Sequence, residues 1–178
     1  MNYIVMNLLE MLDTYGEEGL ESFLSNFTCP LNQDVESFIR DKAINFAKQR
    51  VVMTYLVFSD EQIPEFAGYF ALANKFVSIM GEALSKTMQK RIGKYSQYDE
   101  ELNRFLVSMP LIAQLGKNYD SSLHSKIAGK ELLEIACSKV QDAQYILGGK
   151  AVYIECANNP KLFDFYSNLF YKIIRFII

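Results

Sequence analysis

The chain has 178 residues, of which 50% are hydrophobic, 13% aromatic and 22% charged. This composition is typical of a folded protein and excludes global disorder, and the length predicts a single domain over residues 1–178. The formal net charge is −3, so the chain lacks the overall basic field that binding to nucleic acid needs. We therefore expect no nucleic acid as the main partner.

The sequence also argues against a membrane segment, a secretory signal and a metal site. No apolar run approaches the ~20 residues that span a bilayer, and residues 1–12 lack the basic start of a secretory signal, so we expect a cytoplasmic protein without a membrane segment. The chain has one histidine, His124, which makes a His-rich metal site or a Ser-His-Asp triad improbable, and no metal is predicted. The three cysteines form no CxxC pair and are interpreted as buried, reduced thiols: Cys29, Cys137 and Cys156.

The first half of the chain predicts helices followed by a β-hairpin. The residue pattern predicts a helix over 3–14, a short strand over 20–27 and then an amphipathic helix that Asn32 caps. Residues 51–58 are β-branched and aromatic, which is typical of a buried strand. A polar turn separates them from a second apolar run over 66–79, so the two runs predict an antiparallel hairpin.

The second half predicts a basic helix followed by a βαβ unit. Residues 82–101 are interpreted as a helix whose basic side chains form either a solvated face or a patch that steers an anionic substrate. The βαβ unit consists of a strand over 105–115, which Pro110 interrupts, a helix over 126–141 and a strand over 151–156. Pro160 then opens a final helix.

The loop of the βαβ unit delivers the N-terminus of a helix to the end of a strand. The first amides of that helix, around residues 126–130, have no acceptors within the helix, and the aligned peptide dipoles add partial positive charge. Such a place attracts phosphate. Packing of the helix against the sheet is the alternative explanation for Gly129 at this point.

The order of these elements and the sequence of this loop resemble the GNAT N-acetyltransferase superfamily. The family signature is Arg or Gln followed by Gly-x-Gly-x-Gly or Ala, and the matching stretch is His-Ser-Lys-Ile-Ala-Gly at residues 124–129. Ser125 and Ile127 stand at the first two glycines, and Gly129 keeps the last. The resemblance covers residues 20–178 and implies an α+β sandwich, in which helices flank both faces of a central mixed, mostly antiparallel sheet.

The resemblance also implies acetyl-CoA as cosubstrate and an amine as acceptor. The stretch that includes Leu115 and Lys117 looks like the family strand whose backbone hydrogen-bonds the pantetheine arm, and Gln114 is a candidate for contact with the acceptor. The basic patch of the preceding helix could also meet the adenosine 3′-phosphate. The candidates for contact with the pyrophosphate are Ser125, Lys126, Ala128, Gly129 and Lys130.

Two residues are candidates for catalysis. Phe165-Tyr166 matches the start of the family's Phe-Tyr-x-x-x-Gly-Phe ending, with Phe170 at the glycine, and this match implies that Tyr166 protonates the leaving thiolate. Glu155 is the candidate general base, acting through water. The alternatives are packing in an aromatic stretch for Tyr166 and a surface carboxylate for Glu155.

Three functions remain open on the sequence. The first is an acetyl-CoA-dependent N-acetyltransferase that acts on a small molecule or a protein. The second is a GNAT-type toxin that acetylates aminoacyl-tRNA. The third is a non-catalytic module that binds acyl-CoA or another protein, and a homodimer would cover any open edge of the sheet.

Overall fold

The computed structural model describes residues 2–119, 125–156 and 160–169. Within these residues, the strands are β1 (Tyr3–Asn7), β2 (Met53–Ser59), β3 (Phe66–Met80), β4 (Gln97–Asp99), β5 (Arg104–Lys117) and β6 (Tyr153–Ile154). The α-helices are α1 (Leu8–Tyr15), α2 (Glu17–Leu24), α3 (Gln33–Ser37), α4 (Ala43–Lys48), α5 (Lys86–Ile92), α6 (Gly129–Leu147) and α7 (Pro160–Leu169). A π-helical turn over Phe38–Lys42 joins α3 to α4, and a 3-10 turn over Gly81–Ala83 precedes α5.

The six strands form one mostly antiparallel sheet flanked by helices. The order is β1-β2-β3-β5-β4, and β6 also pairs with β5. β1 pairs antiparallel with β2, where Val5 lies opposite Val57, and β2 pairs antiparallel with β3. β4 pairs antiparallel with β5, where Tyr98 lies opposite Phe105. The predicted α+β class and the predicted hairpin of β2 and β3 are confirmed.

The chain divides into two compact units. The first comprises Met1–Ala73 with Ile112–Lys139, and the second comprises Asn74–Leu111 with Val140–Ile178. β3, β5 and α6 each contribute residues to both units.

The core of the first unit is built by helices α1 to α4 and by the strands of the hairpin. The ring of Tyr69 is fully buried, with Phe38 stacked on it at 6.1 Å and Phe27 edge-on at 5.2 Å between ring centroids. Each fully buried large apolar side chain contributes about 1.5–3 kcal/mol through the hydrophobic effect. The leucine and isoleucine side chains that are completely buried in this core are Leu8, Leu24, Ile39 and Leu56.

Asparagine caps begin two of these helices. The side chain of Asn7 accepts a hydrogen bond of 2.9 Å from the amide of Leu9, at the point where β1 passes into α1. As predicted, Asn32 caps the third helix, and its side chain accepts from the amides of Asp34 and Val35. Caps of this kind are typically worth ~1 kcal/mol.

The second unit also buries apolar side chains. They lie on or next to β3, α5, β5, α6 and β6: Ile79, Leu84, Ile92, Phe105, Val107, Val140 and Tyr153.

The start of the chain differs from its prediction. The helix predicted over 3–14 begins only at Leu8, because the five residues before it pair with β2. The strand predicted over 20–27 is also wrong. This segment contains most of α2, and it buries Leu20 and Leu24, which are spaced four residues apart on one helix face.

Two predictions in the second half are also corrected. Of the helix predicted over 82–101, only Lys86–Ile92 is α-helical, and Gln97–Asp99 forms β4. Pro110 does not interrupt its strand, since β5 continues through it. None of the helices in the part of the chain that the structure describes has an apolar stretch sufficient to span a bilayer.

Candidate active site

The end of β5 carries three candidate residues in the first unit. Gln114, Leu115 and Lys117 are all half-buried. Just beyond them, Asn118 holds the strand end in place. Its amide donates to the carbonyl of Ala67, and its side chain accepts from the amide of Thr28, each at 2.9 Å. The end of β5 is therefore hydrogen-bonded, through Asn118, both to β3 and to the segment after α2.

The loop before α6 and the first residues of α6 carry the candidates for phosphate binding. The side chain of Ile127 is buried, with 2% of its surface exposed, so it anchors the loop in the core. The hydroxyl of Ser125 donates to the carbonyl of Ile127 at 3.2 Å. Side chains thus fix the loop at two positions where the family signature has glycine. The remaining candidates lie at the surface or half-buried: Lys126, Ala128, Gly129 and Lys130.

A carboxylate lies at the first turn of α6. The amide of Ala128 donates to the Oε2 atom of Glu131 at 3.0 Å, and the hydroxyl of Tyr3 donates to the same oxygen at 3.0 Å. The Ala128 amide lowers the pKa of the Glu131 carboxyl, and the Tyr3 hydroxyl adds to this effect. Burial, together with the Glu131 carboxylate, raises the pKa of Tyr3 to about 12. The carboxylate therefore stays charged at neutral pH.

The two lysines among the phosphate-binding candidates also lie beside carboxylates. The Nζ atom of Lys126 is 3.3 Å from the Oε2 atom of Glu65, which lies just before β3. The Nζ atom of Lys130 is 3.8 Å from the Oε1 atom of Glu134, one turn further along α6. All four side chains are substantially exposed, so these ion pairs are weak and exchangeable.

Tyr166 lies on α7 in the second unit and is half-buried. Its ring packs edge-on against Phe165, with 5.1 Å between the ring centroids. Burial raises the pKa of the Tyr166 hydroxyl, and the thiol of Cys156 contributes in the same direction. The hydroxyl therefore carries its proton at neutral pH, which a general acid requires.

Glu155 also lies in the second unit, directly after β6. Its Oε1 atom is 2.9 Å from the Nζ atom of Lys75 on β3, and both side chains are about half exposed. Lys75 also lies over the ring of Tyr153, 5.9 Å from the centroid. The candidate base is therefore one half of an ion pair.

The candidate residues fall into two groups. The cofactor candidates and Gln114 all lie in the first unit, while Tyr166 and Glu155 lie in the second. His124 and Phe170 lie outside the described residues. The buried-thiol interpretation holds for Cys29, whereas Cys137 is half-buried and Cys156 is exposed.

Sequence reasoning missed two residues that contact the loop, Glu131 and Tyr3. Glu131 stands three residues after Ala128, which is the spacing of a capping box, but position 128 lacks the Ser or Thr that marks such a box, so only half of the pattern is present. No local signal marks Tyr3, because β-pairing at the start of the chain brings it to α6. Among the described residues, no group of His, Cys, Asp and Glu side chains could hold a metal ion.

No protein-family model matches this chain, and no curated protein sequence does either.

Comparison of structures gives clear matches. AtaT complexed with acetyl-methionyl-tRNAfMet has a TM-score of 0.66 and 19% identity, over 94% of this chain and 85% of that chain. A mutant of KacT has a TM-score of 0.65 and 17% identity, over 95% of this chain and 86% of that chain. AtaTR bound with AcCoA has a TM-score of 0.59 and 16% identity, over 94% and 83% of the two chains. AtaT and KacT are toxins with the GNAT fold.

This chain has the GNAT fold. The resemblance seen in the loop at residues 124–129 is therefore confirmed at the level of the fold. At such low identity the matches establish the fold alone.

Proposed function

We propose that the protein is an acetyl-CoA-dependent N-acetyltransferase that transfers an acetyl group directly to an amine of a small molecule or a protein. The whole chain, residues 1–178, would act as one acetyltransferase domain. The observation that carries the proposal is Tyr166, a half-buried phenol that the sequence match aligns with the family's general acid, in a chain with the GNAT fold. A structural neighbour, AtaTR, was solved with AcCoA bound.

The first unit offers suitable donors for the cofactor. The helix start at Gly129 and the loop before it present backbone amides, and Lys126 and Lys130 add two ammonium groups. This donor set fits a pyrophosphate. The backbone at Leu115 and Lys117 would bind the pantetheine arm, while Gln114 would contact the acceptor.

The chemistry requires two proton transfers. The amine nitrogen attacks the thioester carbonyl, a C–N bond forms, and the C–S bond then breaks to release a thiolate. Tyr166 would donate its proton to this sulfur, since a phenol keeps its proton at neutral pH until the thiolate forms. Glu155 would accept the proton of the amine through water.

The decisive experiment measures thiol release from acetyl-CoA with a panel of amines. Tyr166→Phe should lower kcat by about 10²–10⁴-fold, the usual contribution of a general acid, without weakening acetyl-CoA binding. Tyr145→Phe is the matched control, because Tyr145 lies at the end of α6 with 94% of its surface exposed. Wild-type protein that releases no thiol with any amine would refute the proposal.

A second candidate acceptor is aminoacyl-tRNA, and the surface of α5 favours it. Within the described part of the chain, the four basic side chains on or next to this helix are exposed and form no ion pair, although basic residues elsewhere do. Clustered, uncompensated cations are the electrostatic signature of phosphate binding. We call these residues the α5 patch: Lys86, Lys90, Arg91 and Lys94. The neighbour AtaT was solved in complex with acetyl-methionyl-tRNAfMet.

The tRNA acceptor can be tested separately from acetyl transfer. Expression of the wild-type chain should arrest growth, and Tyr166→Phe should relieve the arrest. Reversing the charge of two α5-patch residues together, with K90E and R91E, should abolish tRNA binding while leaving acetyl-CoA binding intact. Unchanged growth on expression would remove this candidate and leave the small-amine or protein acceptor. A homodimer and a cytoplasmic location stay predictions of the sequence.

A further inference from the structure

Three of the donors that we assign to the cofactor phosphates already lie beside internal carboxylates. The amide of Ala128 is hydrogen-bonded to Glu131 at 3.0 Å. The two lysines have their own acidic neighbours, with Lys126 beside Glu65 at 3.3 Å and Lys130 beside Glu134 at 3.8 Å.

Glu131 differs from Glu65 and Glu134 because it accepts a hydrogen bond from a backbone amide, whereas they lie beside lysine side chains. An exposed lysine can rotate away from its partner and bring its charge to an incoming phosphate, but a backbone amide cannot move in this way. The Oε2 atom of Glu131 occupies the amide of Ala128 at the N-terminus of a helix of 19 residues, where a phosphate would be most favoured.

Tyr3 fixes this carboxylate from outside the helix. Its hydroxyl donates to Glu131 at 3.0 Å and approaches the carbonyl of Lys126 at 3.5 Å. Tyr3 itself is held in register by β1, where it pairs with Ser59 of β2. The position of the carboxylate is therefore set by the sheet as well as by α6.

We propose that Glu131 is an internal competitor for the phosphate site, so that acetyl-CoA binds only when its pyrophosphate displaces this carboxylate from the amide of Ala128. Two anions cannot share one helix N-terminus without strong repulsion. Glu131 and its anchor Tyr3 thus set the affinity for the cofactor. This inference rests on the proposed function, which supplies the phosphate ligand.

The test is calorimetric titration of the full chain with acetyl-CoA. Glu131→Gln removes the charge and should tighten binding about two- to fivefold. Glu131→Ala also frees the amide and should tighten it about tenfold. Glu18→Gln is the control, because it removes the same charge from the first turn of another helix, α2, and should change the affinity little.

Tyr3→Phe gives an independent readout that leaves α6 untouched. It removes one of the two hydrogen bonds that hold the carboxylate and should tighten binding about twofold. Equal affinity in wild type and both Glu131 variants would overturn this inference and leave acetyl-CoA as the cosubstrate. Absence of binding in every protein would overturn the inference together with the proposed function. Binding by the Glu131 variants alone would support both.

Discussion

Gly116 of β5 lies so close to Val35 of α3 that a Cβ atom at position 116 would be 2.5 Å from the Cγ1 atom of Val35. The same Cβ atom would be 2.6 Å from the ring of Tyr69. Neither neighbour can move away easily, because both are buried in the core of the first unit. The absence of a side chain at Gly116 is therefore a packing requirement of the strand that carries Leu115 and Lys117.

Gly116→Ala should destabilise the protein by about 1–3 kcal/mol, the usual cost of overpacking a core. Chemical unfolding followed by circular dichroism would measure the change in the free energy of unfolding. Gly19→Ala is the matched control, since Gly19 lies in α2 and a Cβ atom there would have no neighbour within 4 Å. That variant should gain about 0.5–1 kcal/mol from helix propensity. Similar effects of the two substitutions would contradict the packing argument.

The hydroxyl of Tyr69 supports a second prediction. It is fully buried and donates a hydrogen bond of 2.6 Å to the carbonyl of Val35. Tyr69→Phe leaves that carbonyl without its donor in a dry core, so the free energy of unfolding should fall by about 1–3 kcal/mol. Tyr15→Phe serves as the control, because more than half of Tyr15 is exposed. An unaffected unfolding midpoint for Tyr69→Phe would show that the hydrogen bond adds nothing to stability.

The elements that were predicted correctly have strong local signals. β2 could be predicted because it is rich in β-branched and aromatic residues, and the start of α3 because Asn32 precedes acidic residues. β1 could not be predicted in this way. Its five residues continue directly into α1, and they form a strand only because β2 offers them hydrogen-bonding partners from about fifty residues further along the chain.

The candidate site was predictable to a similar degree. The family pattern located the loop through Gly129 and the aromatic pair through Tyr166. It gave no sign of the ion pair between Lys75 and Glu155, since these residues are 80 positions apart and only the fold brings them together. Tyr3 was missed for the same reason. Contacts that depend on strand pairing leave no periodic mark in a sequence.

The cysteines should differ in their reactivity. Cys156 is exposed, whereas Cys29 is buried and Cys137 is half-buried. Burial, aided by the Glu134 carboxylate, raises the pKa of the Cys137 thiol to about 11, and burial raises that of Cys29 as well. Thiolates are the reactive species, so labelling of the native protein at pH 7.5 should modify Cys156 first. Mass spectrometry of the labelled peptides would measure the order, and Cys156→Ser should abolish the fast phase. Fast labelling at Cys137 would contradict its burial.

The stability of the protein should depend on Tyr3 at high pH. Its pKa is raised to about 12 in the folded state, while an unfolded tyrosine titrates near ~10. Below pH 10 both states keep the proton, so the stabilisation is fully present. As the pH rises from 10 towards 12, the unfolded chain loses its proton first, and the free energy of unfolding must fall.

Comparison with Tyr3→Phe isolates this contribution from the other tyrosines. The difference in unfolding free energy between wild type and Tyr3→Phe should be constant up to pH 9.5 and should shrink at each step to pH 11. In Glu131→Gln, the unfolding free energy should fall less steeply with pH than in wild type, because the carboxylate is one cause of the raised pKa of Tyr3. Urea unfolding at a series of pH values would measure both slopes. A difference that stays flat to pH 11 would mean that Tyr3 does not hold the Glu131 carboxylate at the start of α6.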